Sequence, residues 1–158
     1  MGEKGKEIVG KHAEEVIKRL NQALATEGLE AYRFLYLSKW AAGLDAPEMS
    51  EIFTLLSQHE WQHMETLMER IVQLGGRPLT RPSEFERHSY AHIRAPPEDR
   101  KALHKMLEDS LDGERQEIEF YKELADYCRD VDLVTYRLAL EALSDEVDDE
   151  ERLENLLD

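Results

Sequence analysis

The sequence predicts an all-α protein, a four-helix bundle with a long crossover between its second and third helices. Three observations predict it. Four stretches carry apolar residues at steps of three and four, the period of a helix with one buried face. The 8 glycines and 5 prolines cluster between those stretches and leave them free to be helical. The connections run short, long, short, and a long second connection lets the chain cross the bundle, so that the third helix starts from the far end. At 158 residues the chain suits one domain, residues 1–158, rather than two.

The first helix is expected over about Lys6 to Ala42, with Ile8, Val16, Leu20, Leu24, Ala31, Phe34 and Ala41 near helical spacing. Gly43-Leu44-Asp45-Ala46-Pro47 ends it, and Pro47 suits the first turn of the next helix. That second helix runs to about Leu74 and is closed by Gly75-Gly76. Arg77 to Pro97 holds Pro78, Pro82, Pro96 and Pro97 without periodicity, and is long for a connection inside a compact domain. The third helix is expected over about Glu98 to Cys128. A break near Asp130–Asp132 precedes the fourth, about Leu133 to Leu157.

A formal net charge of -15 speaks against a nucleic-acid-binding surface, whose footprint is basic. It suits attraction of divalent cations, and equally a solvated acidic surface. The single cysteine, Cys128, rules out an intrachain disulfide or a thiolate cluster. Nothing resembles a signal peptide, and no apolar run approaches the ~20 residues that span a bilayer. A cytoplasmic protein without a membrane partner is expected.

The chemistry shows where the apolar stripes are interrupted. On the first helix the stripe reads Leu20, Leu24 (or Ala23), Glu27, Ala31, Phe34; on the second, Leu56, Glu60, His63, Leu67, Ile71, Leu74. On the third it reads Leu103, Leu107, Leu111, Glu114, Ile118, Tyr121, Ala125, Cys128. On the fourth it reads Ala139, Leu143 (or Ala142), Glu146, Asp149 (or Glu150), Leu153. Each helix thus turns at least one carboxylate into an apolar seam. Buried carboxylates without partners are costly and repel one another, so they must be protonated or share cations. His63, three residues after Glu60 on the same face, can ligate through a neutral ring nitrogen. Carboxylates with imidazole suit iron, manganese or zinc. The order Glu, Glu-x-x-His, Glu, Glu-x-x-Asp departs from the ferritin-like di-iron pattern only at its last position.

At these residues the chain resembles the ferritin-like superfamily, bacterioferritin and Dps-like proteins above all. Leu20-Asn21-Gln22-Ala23-Leu24-Ala25-Thr26-Glu27 is similar to the bacterioferritin first helix. The spacing of 33 residues from Glu27 to Glu60 agrees with that family. So do Glu60-x-x-His63, Met68-Glu69-Arg70-Ile71 and Leu74-Gly75-Gly76. Met106-Leu107, Asp112-Gly113-Glu114 and Leu143-Ser144-Asp145-Glu146 are similar in register. The resemblance implies a centre of two iron ions per chain. Glu27 and Glu146 would be terminal ligands, and Glu60 and Glu114 would bridge or flank the metals, with His63 on one of them. The implied reaction is oxidation of Fe(II) by O2 or H2O2, for iron storage, detoxification and protection against oxidative stress. The implied assembly is a homo-oligomer: a dimer, a dodecamer or a larger shell.

Three departures qualify the resemblance. Asp149, or its neighbour Glu150, stands where the fourth-helix His belongs. Trp61 replaces the methionine that ligates haem, so no haem is expected. The fifth helix of classical ferritins has no counterpart in the sequence. Glu117 adds an alternative, because Glu114-Arg115-Gln116-Glu117 resembles the Glu-x-x-Glu of rubrerythrin. That resemblance implies a further ligand and a peroxidase without mineral storage; an ordinary solvated acid is the favoured reading. A metal-free structural bundle is the third alternative.

Other residues carry less. His59 lies about 100° round the helix from Glu60 and should face a neighbouring helix or solvent. His88 and His92 would form an i,i+4 metal pair only if their stretch were helical. His12 and His104 read as surface residues. Tyr32, Tyr36 and Tyr121 read as packing residues, with a place beside an iron centre as the alternative, and Cys128 as a small core residue. Lys4, Lys6 and Lys11 make a basic start too short to hold DNA against the overall charge.

Overall fold

The computed structural model describes residues 2–157, the Lys6 side chain excepted. Met1 and Asp158, which belong to the expected 1–158 domain, and the Lys6 part of the basic start lie outside the described residues. Those residues contain helices and no strands. Helix α1 (Glu3–Val9) leads through a 3-10 turn (Gly10–His12) into α2 (Ala13–Trp40) and α3 (Ala46–Gln73). The crossover holds a 3-10 turn (Pro82–Glu84) and the short α4 (Phe85–His88), and α5 (Leu103–Cys128) and α6 (Leu133–Leu157) complete the fold. The long helices α2, α3, α5 and α6 form the expected ferritin-like four-helix bundle.

Two boundaries differ from the sequence expectation. The first segment is interrupted at Gly10, whose φ of 52° lies in the left-handed region that breaks a helix. The third helix starts at Leu103 rather than near Glu98. The chain before it is tied to the end of α2 instead: Trp40 Nε1 donates to the Pro97 carbonyl (3.0 Å), Arg100 Nε to the Trp40 carbonyl (2.9 Å) and Ala42 N to the Arg100 carbonyl (2.8 Å).

Helix α2 packs chiefly on α3, and α5 on α6, so the bundle is two helical hairpins set face to face. The crossover runs the length of α2 and is fastened to it at successive levels. Leu79 N donates to Asn21 Oδ1 (2.9 Å), Ser89 Oγ meets Thr26 Oγ1 (2.9 Å), and Arg33 Nε donates to the Arg94 carbonyl (3.0 Å). Phe85 plugs the middle of this seam against Gly28. At the far end, Asp132 caps α6 by accepting from Val134 N and Thr135 N (both 3.2 Å), and Arg70 of α3 holds both its oxygens at 2.8 Å.

Two apolar clusters fill the bundle. One gathers Val16, Leu20, Leu24, Leu67, Ile71, Leu124 and Cys128 with their neighbours; the other gathers Phe34, Leu37, Phe53, Leu56, Met106, Leu111 and Leu153. Each fully buried aliphatic side chain contributes about 1.5–3 kcal/mol. Along α3, α5 and α6, the buried charged and polar residues that separate the two clusters are acidic, with the addition of His63 on α3.

Candidate metal centre

The layer between the apolar clusters is built one helical turn at a time. Helix α2 supplies Glu27, α3 supplies Glu60 and His63, α5 supplies Glu114 and Glu117, and α6 supplies Glu146 and Asp149. All are buried, Glu27, Glu60, Glu146 and Asp149 completely. Their ligand atoms form two overlapping groups, each with members within 4.8 Å of one another: Glu27, Glu60, His63 and Glu146; and Glu60, Glu114, Glu117 and Glu146. Glu60 and Glu146 belong to both groups. Glu146, for which the resemblance implies the role of a terminal ligand, has ligand atoms within reach of both groups.

His63 sets the first group. Its Nδ1 lies 3.0 Å from Glu146 Oε1, 3.4 Å from Glu27 Oε2 and 3.8 Å from Glu60 Oε2, and none of these approaches is an aligned hydrogen bond. Its Nε2 meets Asp145 Oδ2 at 3.2 Å, which fixes the ring and keeps Nδ1 turned inward. The Tyr121 hydroxyl donates a hydrogen bond to Glu27 Oε1.

Electrostatics follow from crowding. Burial, reinforced by the neighbouring carboxylates, pushes Glu60, Glu114 and Glu117 well above the usual carboxylate range. Burial also raises Glu146, to about 7, against the restraining contact with His63. Burial opposes charge on the His63 imidazole, yet the Glu27 carboxylate and the close Glu146 outweigh it and hold the ring up at about 12. Burial thus opposes charge on most of these acids, and a bound metal would compete with their protons.

Both carboxylate oxygens of Glu60, Glu114, Glu117 and Glu146 lack a hydrogen-bond partner, as do Glu27 Oε2 and His63 Nδ1. Buried polar atoms are nearly always partnered, so ten unpartnered ligand atoms in one layer form a cluster that could hold a metal. The donor set of oxygens with one imidazole fits iron or manganese.

The fold therefore brings together Glu27, Glu60, His63, Glu114, Glu117 and Glu146. The favoured solvated reading of Glu117 is overturned, because the side chain is 1% exposed and faces the centre. Asp149 lies in the same layer, outside both groups. Glu150, the alternative at this slot, points outward to Arg115 Nε at 2.7 Å. His59 faces the neighbouring helix α6 and meets Asp149 Oδ2 at 2.6 Å. His88 and His92 form no pair on one helix, since α4 ends at His88. Tyr121 is buried beside Glu27, whereas Tyr32 and Tyr36 are exposed.

Two features escaped the sequence reading. Glu30 and Arg33 form a buried ion pair (3.0 Å) next to the layer, and Arg33 reaches Ser110 across the hairpins (3.3 Å). Their spacing in steps of three, Glu27 to Glu30 to Arg33, was the available signal. Tyr90, brought in by the crossover, stacks on Phe120 with ring centroids 3.8 Å apart and keeps its hydroxyl buried without a partner. No periodicity announces a residue in such a loop.

Residues 17–158 match the sequence profile of the ferritin-like domain. The chain is similar to the DNA protection during starvation protein of Pyrococcus furiosus, with 30% identity over 151 residues that span 96% of this chain and 81% of that protein. Among solved structures, it superposes on the dodecameric thioferritin of Bacteroides fragilis, a bacterioferritin-related protein. The TM-score is 0.92 at 24% identity, covering 98% of this chain and 92% of that one. It also superposes on Dps from Thermosynechococcus elongatus, with a TM-score of 0.86 at 14% identity over 98% and 95% of the two chains.

Proposed function

The chain belongs to the ferritin-like family, and from that premise we propose that it is a di-iron ferroxidase acting within a homo-oligomeric shell. One observation carries the reading: two overlapping groups of buried, unpartnered ligand atoms share Glu60 and Glu146. One group would be completed by Glu27 and His63, the other by Glu114 and Glu117. Two iron ions held there would each surrender one electron, so that a pair reduces one H2O2 with two protons to two waters.

The chain's own residues do the rest. Shared carboxylates hold the two positions close together and absorb the added positive charge without recruiting new ligands. Asp145 holds the His63 ring, and Tyr121 holds Glu27. A cleft of about 200 Å³ between α3 and α6, lined by His63, Tyr121, Glu141 and Asp145, gives small solutes a way in. Its acidic rim favours Fe(II) over anions.

The protective role in the name of the Pyrococcus relative enters here as removal of Fe(II) and peroxide, not as coating of DNA, given the net charge of -15. Copies would associate through exposed apolar side chains such as Tyr32, Leu35 and Trp61. Burial of Glu117 favours a second reading, a rubrerythrin-like preference for peroxide over O2.

The test is stoichiometric addition of Fe(II) to metal-free protein, with ferric absorbance, oxidant consumption and light scattering followed together. Rapid oxidation of two Fe(II) per chain is expected, at one H2O2 per pair. Glu146→Gln should abolish the fast phase, and Glu117→Gln should slow the peroxide reaction more than the O2 reaction. No Fe(II) uptake by the wild-type protein would overturn the proposal in favour of a structural bundle.

A further inference from the structure

Helices α3 and α6 run antiparallel across the centre and are joined by two histidine–aspartate contacts, four residues apart on each helix. His63 Nε2 meets Asp145 Oδ2 at 3.2 Å, and His59 Nδ1 meets Asp149 Oδ2 at 2.6 Å. The two contacts are built in opposite senses. In the first the imidazole is the inner group: Nδ1 faces the carboxylates without a hydrogen bond, and the 57% exposed Asp145 steadies the ring from outside. In the second the carboxylate is the inner group. Asp149 is fully buried, its Oδ1 has no hydrogen-bond partner, and the 27% exposed His59 steadies it from outside.

We propose that His59 is a positioning residue for the second metal position, orienting Asp149 so that its Oδ1 serves as a ligand beside Glu114. The inference rests on the ferroxidase reading and deepens it. One metal takes an imidazole backed by a carboxylate; the other takes a carboxylate backed by an imidazole. Asp149 follows Glu146 by three residues and so lies on the same face of α6, one turn along. Its charge is among those that act on Glu114. Glu150 offers no competition, because Arg115 holds it at the surface. Arg152 Nη1 approaches Oδ1 at 3.3 Å without hydrogen-bond alignment. Being 46% exposed, it is free to withdraw to solvent when a metal arrives. Removing an outer partner of this kind weakens metal binding about 10–100-fold.

Titration of metal-free protein with Co(II), read by its visible absorption bands, tests the assignment without turnover. Wild-type protein should bind two Co(II) per chain, and Asp149→Ala one. His59→Leu should weaken the second binding step about 10–100-fold and leave the first unchanged. His59→Asn, whose amide nitrogen falls near the place of Nδ1, should restore the second step. The metal-free melting temperatures of the two His59 variants should coincide. A second step in His59→Leu equal to the wild type overturns the role of His59 alone, as does equal loss of both steps in both His59 variants. Wild-type protein that takes up no Co(II) overturns the ferroxidase reading with it.

Discussion

Asp132 is as buried as any carboxylate of the centre, yet it behaves in the opposite way. Burial pushes its acid up, but hydrogen bonds from Arg70 and Thr135 outweigh that and hold it below the usual range. A group depressed in the folded state contributes stability above its ordinary value near 3.8, and that contribution is lost as pH falls through and below it. Asp132→Asn leaves the Arg70 guanidinium buried and uncompensated, so a loss of about 3–5 kcal/mol is expected at pH 7. Urea unfolding at pH 7 and at pH 3 checks the sign: the gap between wild type and variant should narrow at the lower pH. The acids of the centre were legible as interruptions of apolar stripes, but Glu117 was not. The stripe on α5 accepts either residue 117 or residue 118 at one step, and the apolar Ile118 looked the better fit. The fold places Glu117 inside and Ile118 only partly buried, because the layer at that level is polar on all four helices.

At the scale of elements, the four long helices were readable because each keeps a helical period and the breaks between them carry glycine, proline or an aspartate cap. The crossover was readable as a connection and opaque in its contents. Its partners, Asn21, Thr26, Arg33 and Trp40, lie on the outer side of α2, where helix periodicity expects solvent. The Phe85 plug explains Gly28, because a Cβ there would overlap the ring. Gly28→Ala would gain up to about 1 kcal/mol of helix propensity and lose about 1–3 kcal/mol to overpacking. A net fall in melting temperature of a few degrees is expected in calorimetry, with Fe(II) binding retained. A rise would show that the crossover yields freely, and that Phe85 does not fasten it.

At the scale of the molecule, the ligand groups straddle the two hairpins. Glu27, Glu60 and His63 come from one, and Glu114, Glu117 and Glu146 from the other, so a bound metal would join what like charges push apart. A ligand that binds only the folded state stabilises it by about 4 kcal/mol at a thousand times its dissociation constant. Native-state hydrogen exchange should resolve where that stabilisation acts. In metal-free protein, amides near residues 27, 60, 114 and 146 should open at lower free energy than those within either apolar cluster. Added metal should close the difference, and uniform protection along each helix in the metal-free state would contradict this.

The division into hairpins also sets an order of events in time. Contacts within each hairpin are close in sequence and form early, whereas docking waits for the crossover to lay itself along α2. Neither hairpin alone completes either ligand group. On the ferroxidase reading, a newly made chain therefore has no finished place to hold a reactive metal pair until its two halves have met, and redox chemistry begins only in a chain that has finished folding.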